Sequence, residues 1–83
     1  MRAEVTEAGP VVAAEDLGPL LGVPPRDLPR LMREGRVAAV HERGEGADAG
    51  RFRLTFCHGA RRVRLTCDEG GRVLSRISHD VPR

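Results

Sequence analysis

Residues 51–67, RFRLTFCHGARRVRLTC, alternate apolar and polar positions on both sides of a His58-Gly59 pair. Alternation sends successive side chains to opposite faces of a pleated strand, so this segment reads as two strands folded back on each other with one face buried. With His58-Gly59 as a two-residue primed turn, Thr55 pairs with Arg62, Leu54 with Val63, Arg53 with Arg64 and Phe52 with Leu65. Phe52, Leu54, Phe56, Val63 and Leu65 then share the inner face. The rings of GRFRLTF resemble the alternating aromatics of an RNA-binding strand, but on this register they lie with Leu54 and Val63 and belong to the core.

The same period extends in both directions. Arg36–Arg43 (RVAAVHER) reads as a preceding strand and GEGADAG, residues 44–50, as a glycine- and acid-rich loop. Three further strands fall at about 51–57, 60–67 and 72–78. A three-residue loop, Glu69-Gly70-Gly71, sets Cys67 against Val73 and Val63 against Ile77 inside, and Arg64 against Arg76 outside. Arg53, Arg64 and Arg76 are thereby expected in one row across three strands of the solvent face, with Arg51, Arg62 and Arg72 nearby. Like charges directly opposite destabilise a sheet, so such a row calls for an anionic partner or compensating acids.

Ahead of Gly35 the spacing is helical. Leu17, Leu20 and Leu21 fall at i, i+3 and i+4, with Glu15 and Asp16 in the first turn and Gly22 as a stop. Pro19 makes this helix short or kinked. The second helix is expected over 28–34, with Asp27 as N-cap, Pro29 in the first turn and Gly35 as the left-handed residue after the end. Leu28, Leu31 and Met32 form its core stripe, and Arg30 and Arg33 point the other way. Before it, residues 2–6 and 10–13 around Gly9-Pro10 read as a short hairpin or a broken strand. The fold class is therefore α+β: a short N-terminal strand or hairpin, two short helices, then an antiparallel meander of about four strands.

At 83 residues and 9.0 kDa the chain is expected to be one domain spanning 1–83, with fraying at 1–9 and 79–83. A domain this small has a thin core and little room for an enclosed multi-substrate active site, so an enzyme is not expected. A one-sided sheet of this size can complete its core by pairing, which makes a homodimer an expectation. All 14 basic residues are arginine. Residues 1–50 hold six of them against nine acids, net −3, and residues 51–83 hold eight against three, net +5. A basic half can attract nucleic acid, an anionic ligand or an acidic protein.

No apolar run approaches the roughly 18 residues of a membrane span, and the acidic N-terminus does not resemble a secretory signal, so a cytoplasmic location is expected. Cys57 and Cys67 are read as free thiols. His41, His58 and His79 lack metal-ligand spacing, and Cys57 and His58 are strand neighbours whose side chains point to opposite faces. Neither a metal site nor a cofactor is expected.

The stretch AAEDLGPLLGVPPRDLPRLMREGRVAAV, residues 13–40, resembles the helix-turn-helix opening of the MerR and excisionase-like winged-helix families. That resemblance implies DNA contacts by Arg26, Arg30 and Arg33, with the loop at 44–50 as a wing tip. Over 11–80, through LGVPPRDLPRLMREGRV, ERGEGADAGRFRLTFCHGARRVRL and DEGGRVL, the chain resembles a small bacterial family of uncharacterised proteins, which implies no chemistry. The leading functional expectation is a non-enzymatic binding module recognising an anionic protein surface or ligand through Arg51, Arg53, Arg62, Arg64 and Arg76. A DNA-binding helix-turn-helix regulator is the alternative.

Overall fold

Gly35 divides a helical half from a sheet half in the structure, a computed structural model that describes residues 1–81. Strands β1 (Ala3–Thr6) and β2 (Gly9–Val12) form an antiparallel hairpin, followed by helix α1 (Ala14–Leu21), a 3-10 turn at Pro25–Asp27 and helix α2 (Leu28–Arg33). Strands β3 (Val37–Arg43), β4 (Arg51–His58), β5 (Arg61–Asp68) and β6 (Val73–Asp80) then make a four-stranded antiparallel meander in sequence order. The α+β architecture expected from the sequence is the one observed. Of the segment 79–83 where fraying was expected, residues 79 and 80 close β6, and 82 and 83 lie outside the described residues.

Local chemistry explains the element boundaries. Left-handed Gly22 and Gly35 end the two helices, and Val23 N–H donates back to the Gly18 carbonyl at 3.0 Å. Pro19 sits near the end of α1, where only a short stretch of helix follows it. Asp27 stands at the N-cap position expected for it but does not act as a cap: the Pro25–Asp27 turn runs straight into α2, Asp27 is already helical at φ −87° and ψ −13°, and its carboxylate accepts no capping bond. The first hairpin turns at Glu7-Ala8, with Gly9 at φ +117° as the first residue of β2, so the Gly9-Pro10 pair follows the turn instead of forming it.

The helices and the hairpin cover one face of the sheet only. Leu17 and Leu21 of α1 and Leu28 and Leu31 of α2 pack with Ala3, Val37, Leu54, Phe56, Val63, Leu65 and Cys67 in a single buried cluster. Val63, Leu65 and Cys67 on β5 have no solvent exposure, which marks β5 as the centre of the core. Complete burial of such a side chain is worth about 1.5–3 kcal/mol. Met32, expected in the core stripe of α2, is 41% exposed at the rim of that layer.

Two registers differ from expectation, with different consequences. The β4–β5 turn is Gly59-Ala60 and not His58-Gly59, since His58 pairs with Arg61 and Phe56 with Val63. Within this turn only Gly59 takes positive φ, +59°, and among the described residues positive φ is confined to glycines. A primed turn centred on His58-Gly59 would have driven a histidine into that region. Moving the turn by one residue moves each cross-strand partner by two, so the faces are preserved: Leu54 now meets Leu65, and Phe52 meets Cys67.

The β5–β6 turn does follow the three-residue form. Asp68 N–H donates to the Arg72 carbonyl and Gly71 N–H to that of Asp68, both at 3.0 Å, and Cys67 pairs with Val73. Beyond that pair the ladder slips. Thr66 pairs with Ser75, so Leu74 is an extra residue in a β-bulge and every later residue of β6 changes face. Val63 consequently meets Ser78 rather than Ile77, and Arg64 meets Ile77 rather than Arg76.

The hairpin is fastened to the sheet at the β5–β6 turn. Ala3 N–H donates to the Gly71 carbonyl at 2.8 Å, and Arg2 bridges Arg72. Gly71 stands at φ +90°, and a Cβ there would collide with the Ala3 carbonyl. Gly71→Ala is therefore expected to combine backbone strain with a steric clash and to lower stability by about 3 kcal/mol or more, measured by urea unfolding.

Candidate functional site: the open face of the sheet

The two helices pack on the inner side of the meander, and its outer face is bordered at one end by the 44–50 loop, where Asp48 shares a small hollow with Arg51, Arg53 and Thr66. Its central row runs Val40, Thr55, Arg64, Ile77 across the four strands, and the next row runs Ala38, Cys57, Arg62, His79. A third row runs Glu42, Arg53, Thr66, Ser75, and Arg51 pairs with Asp68 at the end of β4. Alternation within β4 and β5 thus gathers Arg51, Arg53, Arg62 and Arg64 on one face.

Arg76 does not join them. The Leu74 bulge pairs it with Leu65 and turns it to the helix-bearing side, where it stands exposed on the edge strand. The expected row of three directly opposed arginines is replaced by a staggered set in which Arg53 faces Thr66 and Arg64 faces Thr55 and Ile77. The staggering removes the like-charge juxtaposition that a regular ladder would have forced.

The four outer-face arginines differ in environment. Arg53 lies 3.9 Å from the Glu42 carboxylate with both side chains near half exposure, a weakly held surface pair. Asp68, opposite Arg51, accepts the backbone N–H groups of Gly70 at 3.0 Å and Arg72 at 2.9 Å and so is engaged in the turn. Arg62 and Arg64 are half-buried and have no carboxylate within 4.0 Å among the described residues. Their Nε atoms are shielded from solvent and have no hydrogen-bond acceptor. Thr55, a short side chain between Val40 and Arg64, is 8% exposed, and its Oγ1 is likewise buried without a partner.

Three orphaned polar atoms on neighbouring positions of one sheet face are unusual, because buried donors and acceptors are nearly always paired. Thr55 was not singled out by the sequence; its signal would have been a threonine directly opposite an arginine, which becomes legible only once the register is known. Thr55→Val keeps the side-chain shape and removes the unpartnered hydroxyl. It is expected to raise stability by about 1 kcal/mol in urea unfolding, the reverse of the usual cost of losing a hydroxyl.

The other candidate arginines lie elsewhere. Arg26 is in the 3-10 turn and Arg30 and Arg33 are in α2, all exposed. Arg30 is held by Glu34 at 3.1 Å and approached by Asp27 at 4.0 Å. On the inner side of the sheet, a hollow of about 580 Å³ opens between the hairpin tip and the β3–β4 end, bordered by Glu7, His41, Arg43, Phe52 and Glu69. No group of three or more His, Cys, Asp or Glu among the described residues is arranged to hold a metal ion.

The two cysteines are free and lie on opposite faces, Cys57 half-buried outside and Cys67 buried inside. Burial first, and the neighbouring Asp68 charge second, push the Cys67 thiol above its ordinary range. In the native protein Cys57 is expected to react with a thiol reagent well ahead of Cys67, which becomes labile only on unfolding. Because the folded pKa is raised, the stability associated with neutral Cys67 is complete below the ordinary thiol range and declines as pH climbs through the folded value. Urea midpoints for Cys67→Ser and the native chain, compared across alkaline pH, measure that slope.

The model of a family of unknown function matches residues 1–83, in keeping with the resemblance over 11–80. No curated protein and no solved structure matches the chain. Among the described residues no helix is long and apolar enough to cross a membrane.

Proposed function

From the premise that the chain belongs to this family of unknown function (DUF6522), which assigns no chemistry, we propose a non-enzymatic binding module that takes an anionic protein surface or ligand on its open sheet face. The observation that carries the reading is the pair Arg62 and Arg64: two cations without a carboxylate partner among the described residues, each with a shielded, unsatisfied Nε–H. Turning these side chains outward onto a carboxylate would give each planar guanidinium a two-point contact and relieve the unpaired donors. Arg51 and Arg53 border the pair and extend the positive field, and Val40 and Ile77, each 52% exposed, supply an apolar margin. Arg76, on the other side of the sheet, is not part of this site. A cytoplasmic setting fits two free thiols.

The alternative, a DNA-binding regulator, would use Arg26, Arg30 and Arg33. Against it stand the engagement of Arg30 with two acids and the six-residue length of α2, which offers a duplex less than two turns of helix. The loop after β3, which would serve as the wing tip, carries Glu45 and Asp48.

Amide chemical-shift titrations separate the two. A poly-glutamate peptide is expected to shift Thr55, Arg62 and Arg64 and to do so at near-physiological salt, with Arg64→Gln weakening binding roughly tenfold, equivalent to one lost charge-assisted contact. A mixed-sequence DNA duplex is expected to move these residues only at low salt, as a general polyanion does. Salt-resistant shifts on 26–36 with the duplex would transfer the function to the helices, and a peptide titration without shifts on the sheet would reject the anion-binding reading.

A further inference from the structure

We propose that two copies of this chain pair through the free edge of β3, antiparallel and centred on Val40, to form one continuous eight-stranded sheet. The inference concerns an edge and not the arginine face, so it goes beyond the binding reading and stands or falls separately from it.

The backbone defines what the edge presents. Gly44 N–H donates to the Arg51 carbonyl at 2.8 Å, which makes that pair a hydrogen-bonded one in the antiparallel ladder of β3 with β4. Hydrogen-bonded pairs recur at every second residue, so Ala38, Val40 and Glu42 exchange bonds with β4. Val37, Ala39, His41 and Arg43 therefore turn their N–H and C=O groups away from the sheet. Residues 38–43 are all exposed.

The two edges of the sheet are treated differently. β6 is interrupted by the Leu74 bulge, and the residue ahead of it, Arg72, is bridged by Arg2 of the hairpin. Bulges and covering segments are the usual protection of an edge against another chain. β3 has neither: it runs for seven residues without a proline and pairs with β4 without a register shift. Its central side chains are small, Ala38 and Ala39, and Val40 is 52% exposed.

The strand is also complementary to itself. A register centred on Val40 is the one that overlaps all seven residues. It sets Val37 opposite Arg43 and Ala39 opposite His41, so the residues with outward backbone groups meet one another. It sets Ala38 opposite Glu42 and Val40 opposite Val40 of the second copy at the closer, non-hydrogen-bonded separation. No like charges face each other. An apolar groove of about 270 Å³ runs beside the strand, with Val11 and Met32 on its rim, and pairing would narrow its access to water. The two-fold axis of such a pair is perpendicular to the sheet, so the outer faces of both copies lie on the same side.

Sedimentation equilibrium of the full 83-residue chain at micromolar to submillimolar concentration is expected to give twice the 9.0 kDa chain mass. Ala39→Pro removes an outward N–H that has no partner within the chain; it should give a monomer with an unchanged circular dichroism spectrum. Val40→Arg, which places like charges on the axis, should also give a monomer. In a Cys57→Ser background, Val40→Cys should oxidise to a covalent dimer at least tenfold faster than Glu42→Cys, because only the former lies opposite itself at disulfide distance. A monomeric native chain, a dimer that survives both Ala39→Pro and Val40→Arg, or equal cross-linking at 40 and 42 would overturn the proposal. None of these readouts involves an anion.

Discussion

A four-stranded sheet has two faces, and the helical half of this chain can cover only one of them. The eight residues of α1 and six of α2, helped by the hairpin, suffice to seal Val63, Leu65 and Cys67 completely on the inner side. Everything distinctive about the outer side follows from the lack of a second layer. Side chains there must tolerate water, yet the middle of the sheet is crowded enough to shield Thr55 Oγ1 and the Nε atoms of Arg62 and Arg64. Long arginine stems lying along a pleated surface provide apolar cover of their own while keeping their charge near solvent. The face is thus neither a conventional core nor an inert wet surface.

The architecture was legible because the period of the apolar positions changes once, at Gly35, and each period maps onto one kind of element. The inner face of β4 and β5 was legible for a stronger reason: a turn misplaced by one residue shifts a register by two and leaves each side chain on its own face. That tolerance explains why Phe52, Leu54, Phe56, Val63 and Leu65 are all found inside although their partners differ from those expected.

The candidate site was only half legible, and the division falls at Leu74. Nothing in the residues Val73–Asp80 announces a bulge, since VLSRISHD supports an unbroken alternation as readily as a broken one. A one-residue slip, unlike a two-residue slip, exchanges the faces, so Arg76 and Ile77 swapped sides. The cap at Asp27 failed for a related reason: a preceding 3-10 turn donated the first helical residues, and a single sequence does not reveal where one helical form passes into the other.

The bulge has an evolutionary consequence as well as a structural one. Substitutions at Ile77 or Arg76 change one side chain at a time, but straightening the bulge with Leu74 retained would re-phase the rest of β6 in one step, setting Leu74 against Thr66 and Arg76 against Arg64 and turning Ile77 to the inner side. A single-codon deletion of Leu74 does the reverse: it leaves Val73 against Cys67 and Ser75 against Thr66 in an uninterrupted ladder, so every later residue of β6 keeps its face. Among relatives of this chain, one that is a residue shorter between Gly71 and Arg76 is therefore expected to show the same faces on a regular ladder, whereas one of equal length whose β6 runs without a bulge is expected to show the opposite ones, however similar the rest of their sequences.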